Sequence, residues 1–516
     1  MMQAVAPQVP IVLGVLNARY SHTALGVRYL QANMGELGAH LAVEEFLIQD
    51  DPQRVVERIL AHGPRVVALS MSIWNVAPTA RVIALLKRVD PSLRIVLGGP
   101  ELRFAEAPLY GADVIVRGEG EIAFPQVCAR LLAGDDVPAL VDGGLPSLAR
   151  INLPYDHYTD EDIRQRIVYV EASRGCPFRC EFCLSSRDRE VRTFPLETLL
   201  PAFDRLIQRG CRCFKFIDRT FNLEPDTCRR LLDFFHARWP RDAAGQLIGP
   251  THSRQVEQGA ERNASFFLHF EVVPDRFDPE LLASLARFPA GGVQLEVGVQ
   301  TLDPAVGERI SRRVDADATR RNLGLLREGT GAHVHADLIV GLPGEDAAGF
   351  GRGFDALRAM GPHEIQVGIL KLLPGAPIAR HIDAHGLVFN PEPPYDILQS
   401  ACIDFPRMQE LKRFARYYDI FANSGRFTTA LAALVAQHPS GSAFAAFDGF
   451  AAWLFARTGQ DHGISQQRQY AFLLDYLTEV TALGREASAR LLIADFLDKG
   501  ILRYLPESLR PFAPKP

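Results

Sequence analysis

Two long stretches of this 516-residue chain repeat one pattern, a short run of Val, Ile and Leu followed by an amphipathic helix. That repetition constrains the fold more than any other feature. A strand buried on both faces reads as a continuous apolar run, and parallel sheets covered by helices bury both faces. The first series has strand-like runs at residues 11–16, 43–47, 65–69, 94–97 and 113–116, with helices expected over 22–37 and 77–89. Five strands in this order predict a doubly wound, flavodoxin-like α/β domain over residues 8–135. The second series has runs at 167–172, 213–218, 266–271, 293–298, 334–340 and 365–370. Helices are expected between them at 196–208, 227–239, 278–288 and 319–328. Six β/α units with right-handed crossovers predict an open, partial (β/α)6 TIM barrel over 166–385. Residues 136–165 carry prolines and glycines without periodicity and read as a linker. From 395 to 516 the pattern is helical, with amphipathic segments at 410–421 and 467–483 and another helix at 487–497, and predicts a helical C-terminal domain.

Bulk properties exclude several classes. A net charge of −5 gives no strong pull toward nucleic acid or an anionic membrane. No apolar stretch is long enough to span a bilayer. Residues 1–10 lack the basic and apolar regions of a secretory signal. Five of the eight cysteines are scattered along apparent strands and helices. That is not a disulfide framework, and it predicts a reducing, cytoplasmic setting.

The other three cysteines form one group. Cys176, Cys180 and Cys183 stand at spacing C-x3-C-x2-C in the run Arg174-Gly175-Cys176-Pro177-Phe178-Arg179-Cys180-Glu181-Phe182-Cys183. Three thiolates in one loop can hold three irons of a cubane and leave the fourth iron open, whereas ordinary ferredoxin patterns supply four cysteines. Two other readings use the same residues. Cysteines pack as small apolar side chains, but Gly175, Pro177 and Arg179 make this a polar turn. A structural zinc site wants four ligands, usually from two separated pairs, and here a distant histidine would have to complete it. The loop follows the first barrel strand, at the face where barrel enzymes place their chemistry.

With Phe182 before the third cysteine, this loop resembles the cluster loop of the radical S-adenosylmethionine enzymes. Further strand ends extend the resemblance. Phe216-Ile217-Asp218-Arg219-Thr220-Phe221-Asn222 is similar to the cobalamin-dependent branch of that family. Glu296-Val297-Gly298-Val299-Gln300-Thr301 with the later Arg312 is similar to its strand-four segment. Asp337-Leu338-Ile339-Val340-Gly341-Leu342-Pro343-Gly344-Glu345 is similar to its strand-five segment. The resemblance implies a 4Fe-4S cluster on the three cysteines. It also implies that Phe182, Asp218, Glu296, Gln300, Arg312, Gly341, Leu342 and Pro343 hold S-adenosylmethionine. Asp218, Glu296 and Arg312 would meet its charges, and Gly341-Leu342-Pro343 would form a shelf for adenine.

The strand ends of the first series carry small residues, which let a flat ligand approach the backbone. They resemble the cobalamin-binding domain. The resemblance implies a nucleotide-tail pocket from Ser70, Ser72, Gly98, Gly99, Pro100, Glu101, Gly118 and Glu119. The Asp-x-His-x-x-Gly signature of that domain is absent. His22 lies in the loop after the first strand, as a helix-start or tail-pocket residue.

Together these implications describe a cobalamin-binding radical S-adenosylmethionine protein over residues 10–380. The implied function is a transferase that makes a 5′-deoxyadenosyl radical and methylates an unreactive carbon. A cobalamin-assisted rearrangement, cyclisation or ring contraction is the alternative, and a non-catalytic cobalamin or iron–sulfur sensor is the third. The implied partners are a small organic substrate and an electron donor such as flavodoxin or ferredoxin. Methylthio transfer is disfavoured because residues 1–135 hold no set of closely spaced cysteines for a second cluster. On the C-terminal helices, Arg413, Arg416, Tyr417 and Tyr418 face either a substrate or solvent.

Overall fold

The structure is a computed structural model that describes residues 9–250, 265–499 and 504–513. The expected domain start at residue 8 and the last three residues lie outside that set, as does most of the 1–10 segment.

The first sheet is entirely parallel. Its strands are β1 Ile11–Asn17, β2 Leu41–Leu47, β3 Val66–Ser70, β4 Arg94–Gly98, β5 Val114–Arg117 and β6 Leu140–Asp142, in spatial order β2-β1-β3-β4-β5-β6. All seven residues of β1 are buried. Separate apolar layers cover the two faces of this sheet, one around Val12, Val67 and Ile95 and one around Ile11, Ala68 and Val114. That double burial is why the strands read as unbroken apolar runs.

The sixth strand corrects the expected linker. Leu140–Asp142 extends the sheet beside β5. Tyr155 and Tyr158, farther along the same stretch, are each 1% exposed and belong to the barrel core. Their hydroxyls donate to the carbonyls of Glu171 and Tyr169. Residues 136–165 therefore bind the two sheets together.

The first helix also differs. It runs only over Leu25–Ala32, and a 3-10 turn follows at Gly35–His40. The residues before it are used otherwise. Thr23 Oγ1 donates to Ile167 O at 2.7 Å, and His22 bridges to Ile167.

The second sheet has the sequential order expected of an open barrel. Its strands are β7 Val168–Val170, β8 Cys213–Phe216, β9 Phe267–Val272, β10 Val293–Gln300, β11 His333–Val340 and β12 Glu364–Ile369, all parallel. The C-terminal helices Phe405–Phe421, Thr428–Gln437, Ala443–Thr458, Gln466–Val480 and Gly484–Lys499 share one apolar core with this barrel. Phe350 and Phe354 of the barrel helix Ala347–Ala359 pack edge-on against Phe414. Each such buried Phe contributes about 1.5–3 kcal/mol relative to exposure, so the junction is a continuation of the core. On the helix at 410–421, Arg416 is exposed. Tyr417 and Tyr418 are buried, and Arg413 stacks 4.0 Å over Phe455.

Candidate active site between the two sheets

The cysteine loop starts on a constrained turn. Gly175 has φ +94°, and a Cβ there would lie 2.1 Å from Glu190 O. Only glycine fits. Cys176 N then donates to Asp188 O at 2.8 Å. Between the last two cysteines, Glu181 is 3% exposed and acts as a clamp. It accepts from Ser311 Oγ (2.9 Å) and Arg380 Nε (2.8 Å), and it bonds His381 Nε2 at 2.8 Å. Its backbone bonds Ile310 O and Ile378 N. The loop is thereby fixed to the segment after the helix Pro304–Arg309 and to the 3-10 turn Pro377–His381.

Cys176, Cys180 and Cys183 line one cavity of about 130 Å³, together with Phe178, Phe182, Glu296, Gln300, Arg312 and Asp337. Among the described residues, no three His, Cys, Asp or Glu converge on a single metal-ion position. The thiols instead ring a space, which suits a cubane that takes each thiolate to a different iron. Burial raises the Cys180 thiol pKa, and the Arg312 guanidinium works against it. Arg312 Nη1 lies 3.8 Å from Cys180 Sγ, and its Nη2 donates to Gly298 O.

Three carboxyl groups share the opposite wall. Burial would raise the Glu296 pKa, but His269 at 3.1 Å and the neighbouring His335 and Lys215 hold it below the ordinary value. Burial, and then the negative charge of Glu296, push Asp337 upward. Asp337 Oδ1 is buried without a hydrogen-bond partner. Glu271 is raised by burial. An orphaned carboxyl oxygen beside two other carboxyls suits a cationic ligand, and the sulfonium and ammonium of S-adenosylmethionine provide that charge. Gln300 stands at φ +74°, next to a register shift between Gly298 and Gln300. A left-handed non-glycine residue of this kind is a strained position of the sort that clusters at functional sites.

Two expected contacts fall elsewhere. Asp218 does not line this cavity. It is 2% exposed and accepts from Ala172 N (2.9 Å) and Ser173 Oγ (2.6 Å), which fixes the end of β7 where the cysteine loop begins. Gly341, Leu342 and Pro343 are buried away from it. A Cβ on Gly341 would lie 2.7 Å from Ile397 Cγ2, so the C-terminal region covers the expected shelf.

A second cavity, of about 290 Å³, opens between the first sheet and the helix Leu25–Ala32. Ser70, Gly98, Gly99, Pro100, Gly118 and Glu119 line it, with apolar walls from Leu13, Leu69 and Val96. Two of its glycines stand where packing leaves no room for a side chain. A Cβ on Gly99 (φ +109°) would sit 2.4 Å from Met71 O, and one on Gly120 would sit 2.9 Å from Leu30 Cδ2. Such a slot fits the flat nucleotide tail of cobalamin. Three expected lining residues point elsewhere. His22 Nδ1 bonds Tyr169 Oη at 2.8 Å. Ser72 is not in the lining, and its N–H donates to Asn75 Oδ1 at 2.8 Å. Glu101 accepts from the Tyr395 hydroxyl.

Sequence reasoning missed what joins the two cavities. Glu171, Arg174 and Ile217, all from the barrel, line the second cavity, whereas Cys176, Arg219 and Thr220 line the first. Arg174 pairs with Glu119 (2.8 Å), Glu121 (2.7 Å) and Glu171 (2.8 Å). The signal was present as Gly118-Glu119-Gly120-Glu121 and Arg174, but only the fold brings them together.

Fold and site define a protein of two cofactor modules, an open-iron barrel joined through one wall to a corrinoid slot. Comparisons with known proteins agree. Residues 11–128 match the B12 binding domain, residues 170–352 the radical SAM superfamily, and residues 383–514 a protein family of unknown function, DUF4080. The chain is a cobalamin-binding radical S-adenosylmethionine protein, with a 4Fe-4S cluster, S-adenosylmethionine and cobalamin as cofactors.

The cobalamin-dependent radical SAM methyltransferase TokK of Streptomyces tokunonensis is 27% identical over 80% of this chain and 62% of its own length. The 2-(S-pantetheinyl)-carbapenam-3-carboxylate methyltransferase of Streptantibioticus cattleyicolor is 27% identical over 61% of this chain and 48% of its own length. The chain thus spans about half to three fifths of these curated relatives. The fold is shared with OxsB, a cobalamin-dependent S-adenosylmethionine radical enzyme, at TM-score 0.58 and 13% identity, over 98% of this chain and 83% of OxsB. It is also shared with TsrM of Kitasatospora setae at TM-score 0.56 and 17% identity, over 74% of this chain and 81% of TsrM. No helix among the described residues is long and apolar enough to cross a membrane.

Proposed function

We propose that this protein transfers a methyl group to an unreactive carbon of a small organic substrate, with reducing electrons from a flavodoxin- or ferredoxin-like donor. The observation that carries this reading is the shared wall. Ile217 lines the corrinoid slot, and Arg219, two residues on, lines the cluster cavity. When bound, the cluster and S-adenosylmethionine supply a 5′-deoxyadenosyl radical that takes hydrogen from the substrate, and cobalamin supplies the methyl group.

The chain's own residues hold and orient. Glu296, kept ionised by His269, presents negative charge to the cationic end of S-adenosylmethionine, and Asp337, whose pKa is raised by burial and by Glu296, offers an unpartnered carboxyl oxygen beside it. Arg312 presents positive charge near Cys180 and toward the carboxylate of that ligand. Phe178 and Phe182 give the cavity apolar walls that exclude water. Two relatives carry methyltransferase names, which supports methylation over rearrangement. In the N-terminal part of the chain the one cysteine, Cys128, is buried in a helix, which leaves no thiol group for a second cluster of the methylthio-transfer kind.

The test is an anaerobic assay of the reconstituted protein with methyl-labelled S-adenosylmethionine. Even without substrate, reduction should slowly release 5′-deoxyadenosine. With the substrate, S-adenosylhomocysteine should appear with a product in which a methyl replaces a hydrogen, heavier by about 14 mass units plus the increment of the label. 5′-Deoxyadenosine with no S-adenosylhomocysteine and no label would instead indicate rearrangement, cyclisation or ring contraction. No cleavage under strong reduction would indicate a sensor. Arg312→Ala, read with its iron content measured, should release at least about tenfold less 5′-deoxyadenosine, because a charge-assisted contact is lost.

A further inference from the structure

A third cavity, of about 700 Å³, lies beyond the end of β12 and shares no lining residue with the cluster or corrinoid cavities. Its size is that of a small-molecule site. Its walls are largely apolar, from Leu372, Leu373, Ile382, Leu387, Val388 and Phe389, with Asn390 and Tyr395 as polar members. Val388 is 43% exposed, a large apolar side chain left at the rim. Arg187, from the turn just after the cysteine loop, is the one charged side chain in the lining. Its Nε donates to Gly375 O at 3.2 Å and its guanidinium stands 5.6 Å over the Phe104 ring. Among the described residues it makes no ion pair with a carboxylate.

Three parts of the molecule meet at this cleft. Tyr395 in its lining donates to Glu101 of the first domain, and a Cβ on Gly375 would lie 2.3 Å from Phe104 Cδ2. Ala376 and Ala379 in its lining flank Ile378, whose N–H donates to Glu181 O between the second and third cysteines (2.9 Å). Val388 and Phe389 line the cleft, and their strand pairs with Ile397–Gln399, which leads into the C-terminal region. The cleft therefore touches the cysteine loop, the loop after β4 and the C-terminal region.

We propose that this cleft binds an anionic amphiphile, a molecule with an apolar body and one carboxylate or phosphate group, and that Arg187 is the anion contact. Arg187 is itself exposed at this apolar groove, and its unneutralised guanidinium attracts an anionic head group and repels a cationic one. Identifying the amphiphile as the methyl acceptor rests on the methyl-transfer reading above. Its binding does not.

The experiment is isothermal titration of the cluster- and cobalamin-loaded protein with decanoate, decyl phosphate and decyltrimethylammonium, each below its micelle concentration. The two anions should bind at least about tenfold tighter than the cation, which is the factor expected for about 1.4 kcal/mol from one charge-assisted contact. The tighter of the two anions names the head group. Arg187→Glu should erase or invert this preference, and Val388→Asp, also at an exposed position, should weaken all three ligands. Equal affinities for the three in wild type, or wild-type affinities in both variants, would overturn the proposal. Because binding is read directly, failure here leaves 5′-deoxyadenosine release intact. Loss of that release with binding retained would count against the methyl-transfer reading alone.

Discussion

Arg174 and Glu119 meet at 2.8 Å, where the loop after β5 faces the start of the cysteine loop. The next residues on the barrel side are Gly175 and Cys176, and Glu119 itself lines the corrinoid slot. One guanidinium thus holds three carboxylates, Glu119, Glu121 and Glu171, with side-chain exposures of 17%, 6% and 6%. It also lies 4.6 Å over the Tyr29 ring. Removing it leaves buried like charges facing each other, with only Arg192, among the described residues, to answer Glu119. Breaking such a pair costs about 3–5 kcal/mol. Arg174→Met should therefore lower the melting temperature and weaken hydroxocobalamin binding in a spectral titration. Arg174→Lys should recover only part, since an ammonium cannot reproduce the planar fork and the ring contact. Wild-type melting and binding in Arg174→Met would show that the network joins nothing.

The cysteines separate by position. Cys176, Cys180 and Cys183 line the cavity, while Cys211 and Cys228 are packed in the barrel core. Burial pushes the Cys228 thiol up to about 12 and raises Cys211 further, so neither offers a thiolate at neutral pH. Anaerobic reconstitution should give about four irons and four sulfides per chain, on the three-ligand logic of an open cubane. Joint replacement of the loop cysteines by alanine should abolish this, and Cys211→Ala with Cys228→Ala should not. Equal iron loss from both sets would reject the assignment.

Two glycines of the corrinoid slot should behave differently. Gly99 at φ +109° would place a Cβ against Met71 O, so even Gly99→Ala should destabilise the domain whatever its effect on the ligand. Gly26, in the helix Leu25–Ala32, lines the same slot with nothing within 4 Å of its Cβ position. Gly26→Trp should therefore fold normally and block hydroxocobalamin, while Gly26→Ala binds it. Undiminished binding by a folded Gly26→Trp would place the cofactor elsewhere.

The parallel sheets were legible because their strands are buried on both faces, as β1 is along its whole length. The strand Leu140–Asp142 was not, because it is three residues long, half exposed and set among Pro and Gly. The helix Ala443–Thr458 buries side chains such as Phe444, Phe447, Phe450 and Leu454 on a broad face, so it gives no narrow apolar stripe to read. At the site, spacing identified the cysteine loop because its ligands are neighbours in sequence. Asp218 was read as a cofactor contact because a strand-end acid looks the same whether it meets a ligand or the backbone of Ala172. Arg174 was inside the motif, but two of its three partners, Glu119 and Glu121, lie about 55 residues upstream, where no local pattern links them.

The Asp218 carboxyl gives a pH test of that structural role. Burial pushes it up to about 7, while the hydrogen bonds from Ser173 and Ala172 restrain the rise. In the unfolded chain an Asp titrates near ~3.9. Between about pH 4 and pH 7 the folded state therefore binds more protons at this residue than the unfolded state does. The stability it contributes is full below that range and is lost as pH rises through it. At about 1.36 kcal/mol per pK unit, the loss is at most ~4 kcal/mol. Asp218→Asn keeps the acceptor oxygen and removes the titration. Over pH 5–8, the wild-type guanidinium midpoint should fall more steeply than that of the Asn variant, and the gap should level off above about pH 7. Parallel pH profiles would mean that the hydrogen bonds at Ala172 and Ser173 keep Asp218 ionised throughout. In that case their geometry, with no proton involved, would fix the start of the cysteine loop.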